Sequence, residues 1–258
     1  MSAFKGLLKK DFGISKFWFL FWLIFLLTLL IIPLGMEIYF HMPLSFLPMA
    51  VILLLGGHVF FLPAMLLSLL HLEGKTQLWL YNPQTSKVLF LSKITVSFVY
   101  QVISQVLLTG VGLTIYQFYK NQFFIEVSTL FKGILVLNAG LLLIALYMSC
   151  WALFYWTIYH SLGKFPAVKN WRWLVVLILF FVLNTISTLI AKVEFIKEIV
   201  NKWTIPVLMN TNFNYKQGGW EINLNAAEIP LAGIIVYVIT AFCLFLISCW
   251  LLDRKVEV

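Results

Sequence analysis

Residues 17–36 read FWFLFWLIFLLTLLIIPLGM, twenty positions without one Asp, Glu, Lys, Arg or His. The hydrocarbon core of a bilayer is about 30 Å thick, and a helix crosses it in roughly 20 apolar residues. Five more runs have the same character: Leu44–Leu70, Ile94–Tyr119, Gly133–Tyr159, Trp173–Ala191 and Pro230–Leu252. His58 is their only histidine, and none of them holds a carboxylate, lysine or arginine. The pattern predicts an all-α polytopic membrane protein with six transmembrane helices. The second and fourth runs are 27 residues each, about 40 Å as helix, so they tilt or project beyond the bilayer.

Composition agrees. The 258 residues are 62% hydrophobic and 11% charged, against about 25% charged in a soluble domain. The longest stretch outside the runs is 192–229, too short and too broken for a second core. A single transmembrane domain over 1–258 is therefore expected. The N-terminus is basic and then apolar, like a signal peptide. Phe17–Met36 is too long for that role, however, and no small-residue cleavage pattern follows, so it reads as an uncleaved first span. The three cysteines, Cys150, Cys243 and Cys249, all fall in apolar runs and read as buried free thiols.

The net charge is +8. The basic residues lie between runs, where they set topology and meet anionic head groups. No nucleic-acid motif accompanies them, and no nucleic-acid partner is expected. With both termini on the cytoplasmic side, twelve basic residues fall on inner segments and six on outer ones. That asymmetry predicts a multi-pass protein of the cell membrane with cytoplasmic N- and C-termini.

Three segments outside the spans stand out. In 1–16, Phe4, Leu8 and Phe12 share one helical face while Lys5 and Lys9 take the other, and Asp11 interrupts the pattern. This is an amphipathic helix expected at the membrane surface, in contact with lipid. The inner loop 72–93 reads LEGKTQLWLYNPQTSKVLFLSK. Its Asn82-Pro83 pair breaks helix. Trp79, Leu80 and Tyr81 on an otherwise polar loop suggest a docking surface or side chains that reach back to the membrane. The outer loop 192–229 opens amphipathically, with Phe195, Ile196, Ile199 and Trp203 among Glu194, Lys197, Glu198 and Lys202.

Polar residues inside the spans are few. His58, Gln101, Gln105, Asn138 and Asn184 are the candidates for a pathway, and hydrogen bonding between helices is the simpler role for each. Gln101 and Gln105 are one helical turn apart, with Ser97 and Ser104 nearby. A neutral, hydrogen-bonded His58 is the simpler reading of that residue. Enzyme signatures are missing: the sequence has no H-E-x-x-H and no G-x-S-x-G, and His71 and Glu73 form no metal set. No catalytic residue, metal or cofactor is expected in this chain.

An acidic residue after span 2, then L-Y-N-P-Q-T-S-K, then a lysine opening span 3 resemble the permeases of ABC-2-type exporters. The ending LLDRKVEV is similar to that of bacterial members. Glu73, Pro83, Ser86, Lys87 and Lys93 carry the resemblance. It implies six spans, an N-terminal elbow helix over 1–16, a coupling loop over 72–93 and short amphipathic helices in the outer loop before helix 6. It also implies ATPase docking through Glu73, Lys75, Trp79, Tyr81, Pro83, Ser86 and Lys87. The partners implied are two copies of an ABC ATPase subunit, which would carry ATP and Mg, and a second permease subunit, identical or paralogous. The chain has no G-x-x-x-x-G-K-[ST] of its own, so it is not its own P-loop ATPase. The function expected is outward movement of an apolar or amphipathic substrate: a peptide, an antibiotic or a lipid-like molecule. The alternative is a non-transporting membrane assembly or immunity factor.

Overall fold

The computed structural model describes residues 3–40, 46–76, 84–118, 127–216 and 219–255. In chain order it forms α1 (Ala3–Phe40), α2 (Phe46–Gly57), α3 (Phe61–Thr76), α4 (Ser86–Phe118), α5 (Val127–Ser161), α6 (Arg172–Lys192), α7 (Glu194–Asn201), β1 (Thr204–Lys216), β2 (Gly219–Pro230) and α8 (Leu231–Lys255). Six helical stretches are long and apolar enough to cross a membrane, with α2 and α3 together making the second. The chain is a multi-pass membrane protein. Large apolar side chains such as Phe17, Phe21, Ile24, Leu135 and Phe242 point outward, as a lipid-facing surface requires.

Span 2 is one span in two pieces. A 3-10 turn, His58–Phe60, joins α2 to α3. Pro63 accounts for it: proline has no N–H for the α-type bond to the carbonyl four residues back, and its ring clashes with that carbonyl, here Val59. The tighter turn removes the conflict, and Pro63 itself then sits in the first turn of α3, where it is tolerated.

α3 and α4 form the centre. Phe61, Met65 and Leu69 on one face of α3 join Phe19 of α1 and Val96 and Tyr100 of α4 in one buried cluster. Leu66 and Leu70 on the other face join Phe90 of α4, Leu153 of α5 and Cys249 of α8 in a second. Spacings of four residues place each set on its own side of the helix. α6 has no buried residue and packs at the periphery against α5 and α7.

The starts of α1 and α4 and the ends of α3 and α8 lie together. Lys10 pairs with Glu73, Lys93 with Glu73 and Asp11, and Ser86 with Asp253. Both termini and the α3–α4 connection therefore occupy one end of the bundle, the terminal face.

Two expectations need correction. The segment 1–16 is helical but is not a separate elbow lying in the interface plane: α1 runs unbroken from Ala3 to Phe40. Leu7, Asp11, Ser15, Phe19 and Leu26 are all buried, so the packed face of the first span continues through the amphipathic segment and leaves no reason to bend. At 1.5 Å per residue, the turns before Phe17 extend α1 by about 21 Å. Among the described residues of the outer loop, α7 is the one short helix. From Thr204 the chain forms an antiparallel ribbon, paired from Thr204 with Pro230 to Lys216 with Gly219, with an irregularity between Leu208 and Asn210. The Trp203 carbonyl accepts the Leu231 N–H at 2.8 Å and closes its base. Helix gives way there because Asn210, Asn212, Asn214 and Gly219 disfavour it, while Val207, Phe213, Tyr215 and Ile222 favour strand.

Candidate functional site

The most polar part of the interior is a charge network at the terminal face. Lys93 Nζ lies 2.7 Å from Glu73 Oε2 and 3.5 Å from Asp11 Oδ1. Lys10 pairs with Glu73 and lies 3.6 Å from Asp11 Oδ1. Ser92 donates to Asp11 Oδ2 at 2.6 Å, and Ser15 donates to the Asp11 carbonyl at 2.6 Å. Lys93 and Asp11 are each 1% exposed, Glu73 is 5% exposed, and Lys10 alone keeps contact with the surroundings. Two lysines and two carboxylates make the set neutral. This matters because an unpaired buried charge costs several kcal/mol, while a paired and hydrogen-bonded set avoids most of that penalty. The network ties α1, α3 and α4 together at both roots of the 72–93 loop.

A second polar node lies deeper. Trp22 Nε1 donates to Ser104 Oγ at 3.1 Å. Ser104 Oγ is 2.8 Å from His58 Nε2, and His58 Nδ1 is 2.8 Å from the Leu54 carbonyl. One assignment satisfies every partner: the Nδ1–H donates to Leu54, and Ser104 donates to Nε2 while accepting from Trp22. His58 is thus a hydrogen-bonded packing histidine, with both ring nitrogens engaged. Trp22 also meets it edge to face, with ring centroids 5.6 Å apart.

Between these two nodes, Ser97, Gln101 and Gln105 line the buried side of α4. Asn138 stands apart from them. It donates to the Ile134 carbonyl at 2.9 Å and accepts from Thr109 at 3.3 Å, joining α5 to α4. Asn184 is exposed on α6, a helix with no buried residue, and does not join the polar groups of the interior.

Comparison with known proteins adds a family. The chain is 31% identical over 266 residues to "Uncharacterized protein YhcE" of Bacillus subtilis (strain 168), covering 100% of each. The chain belongs to the YhcE family. No family model and no solved structure matches it. That relative's name assigns it no activity.

The docking residues expected on this YhcE-family chain divide in two. Glu73 and Ser86 are turned inward. Glu73 is held in the charge network, and Ser86 donates to the Cys249 carbonyl at 3.1 Å and to Asp253 Oδ2 at 2.9 Å. Lys87 is exposed and free to face a partner. Lys75 lies in the last turn of α3. Trp79, Tyr81 and Pro83 lie outside the described residues. On the N-terminal segment, Lys5 and Lys9 are exposed. Phe4 is half-buried, and Leu8 and Phe12 pack on the α1–α3–α4 cluster. Phe12 also meets the Tyr100 ring at 5.4 Å, so these two residues serve the core of the fold.

Sequence reasoning missed Asp11, Ser92, Ser104 and Asp253 as site residues. Asp11 did leave a signal, since a carboxylate on a basic helical face has to find a partner.

Proposed function

We propose that the chain is the membrane subunit of an ATP-driven exporter of the ABC-2 type, moving an apolar or amphipathic substrate outward with energy from a separate ATPase. The observation that supports this reading is the position of the charge network. It welds α1, α3 and α4 at both roots of the 72–93 loop, while the depth of the membrane domain holds no Asp, Glu, Lys or Arg. A push on the loop reaches three helices as one body, and no buried charge is available there to couple an ion gradient. Lys87, Trp79 and Tyr81 are the contacts proposed for the ATPase, with Glu73 and Ser86 fixing the roots of the loop. The excess of basic residues on the terminal face supports a cytoplasmic orientation for it, the side where ATP is available.

Affinity purification of the tagged chain from its native membrane tests this. A P-loop ATPase should accompany the wild-type chain, and the Trp79→Glu/Lys87→Glu variant should lose it while remaining in the membrane. No ATPase with the wild-type chain, even after chemical cross-linking, would favour the non-transporting assembly or immunity factor.

A further inference from the structure

Lys93, Ser97, Gln101 and Gln105 recur every four residues on α4, each step rising about 6 Å. Ser97 and Gln101 are 0% exposed and Gln105 is 2% exposed. Even so, Ser97 Oγ and both polar atoms of each amide have no hydrogen-bond partner among the described residues. The groups at either end of the stripe are engaged. Lys93 is paired with Glu73 and Asp11, and Ser104 is bonded to Trp22 and His58. Five partnerless polar atoms on one buried face are unusual, since buried donors and acceptors in folded proteins are paired with protein or with ordered water.

We propose that this face of α4 is an internal water site, with a file of water molecules running along Ser97, Gln101 and Gln105 and meeting the charge network at Lys93. The chemistry fits: hydroxyl and amide groups both donate and accept, and water does the same. Two hydrogen bonds through one bridging water, bent at the water oxygen, span about 4.5 Å, and the flexible glutamine side chains take up the rest of the roughly 6 Å step between successive groups. The occupant is neutral. Lys93 at one end is already balanced by Glu73 and Asp11, and α4 carries no charged residue beyond it to hold an ion. Lys10, one-third exposed beside buried Glu73, marks the end from which water enters. A wet face also lets α4 slide or rotate by exchanging water bonds rather than breaking direct bonds to neighbouring helices. The inference rests on this geometry alone and is independent of what the chain carries.

Water-edited solid-state NMR tests it on the intact chain in liposomes, with the Asn and Gln side chains labelled with nitrogen-15. Gln105 is the only glutamine that follows a serine in the chain, so paired Ser/Gln labelling assigns it in the unaltered protein. Gln101→Asn then assigns Gln101 where that variant folds. The Asn138 amide, satisfied by Ile134 and Thr109, is the dry reference. The expected result is faster transfer of water magnetisation to the Gln105 amide than to Asn138, with Gln101 behaving as Gln105 does. Transfer to Gln105 no faster than to Asn138 would overturn the proposal.

Discussion

Lys93 Nζ lies 2.7 Å from Glu73 Oε2, joining the last turn of α3 to a point two turns inside α4. The pair clamps the loop at its base, and Asp11 and Lys10 bring α1 into the same clamp. Removing Lys93 leaves Asp11 and Glu73 buried with only Lys10 for compensation. Lys93→Met should lower unfolding free energy by about 3–5 kcal/mol. Adding Asp11→Asn removes the stranded charge and should recover part of the loss. Denaturant titration in detergent micelles measures both, and a single variant within experimental error of wild type would show that the clamp carries no stability.

Ser104 is a hub rather than a filler. Its hydroxyl serves Trp22 and His58 together. Ser104→Ala strands the indole N–H and one ring nitrogen, and should cost about 1–3 kcal/mol. Ser149 is equally buried but bonds only the Ala145 carbonyl of its own helix, so Ser149→Ala should be nearly neutral. Thermal melts of the two variants side by side separate a network role from simple burial.

Close helix contact is needed at one glycine of α4 and not at the other. A Cβ at Gly112 would stand 3.2 Å from Val51 Cγ1, whereas one at Gly110 meets nothing within 4 Å. Gly112→Leu should therefore destabilise by about 1–3 kcal/mol through overpacking, and Val51→Ala should relieve much of it. Gly110→Ala should cause no loss of stability. Equal effects at the two glycines in a melting assay would contradict the α2–α4 contact.

The six spans were legible because twenty apolar residues in a row have few alternatives in a bilayer protein. The pairing of Glu73 with Lys93 was not. Both were visible as loop-flanking residues that resemble a family pattern, and a polar loop suggested an exposed role for Glu73. Its burial depends on Asp11 and Lys10, more than sixty positions away, and no local pattern encodes that distance. The elbow failed for a related reason. A helical wheel over 1–16 shows two faces, but not that Leu7, Asp11 and Ser15 continue the packed line of Phe19 and Leu26. In the outer loop, the helix start at Glu194 was readable from its amphipathic spacing. The ribbon beyond it was signalled by alternating Asn and aromatic residues around Gly218-Gly219, and the strength of the preceding helical pattern obscured that signal.

The shared end of α1, α3, α4 and α8 makes a topological prediction that needs no partner protein. Ser86 at the start of α4 donates to Asp253 near the end of α8, and Lys10 near the start of α1 reaches Glu73 at the end of α3. The two termini must then lie on one side of the membrane and the 204–230 ribbon on the other. The charge bias predicts that the termini are the cytoplasmic ones. Alkaline phosphatase inserted at residue 217 should be active in intact cells and inactive when fused to either terminus. Green fluorescent protein should show the reverse pattern. Activity at both termini would keep the bundle but invert its orientation, and activity at one terminus alone would break the arrangement of the terminal face itself.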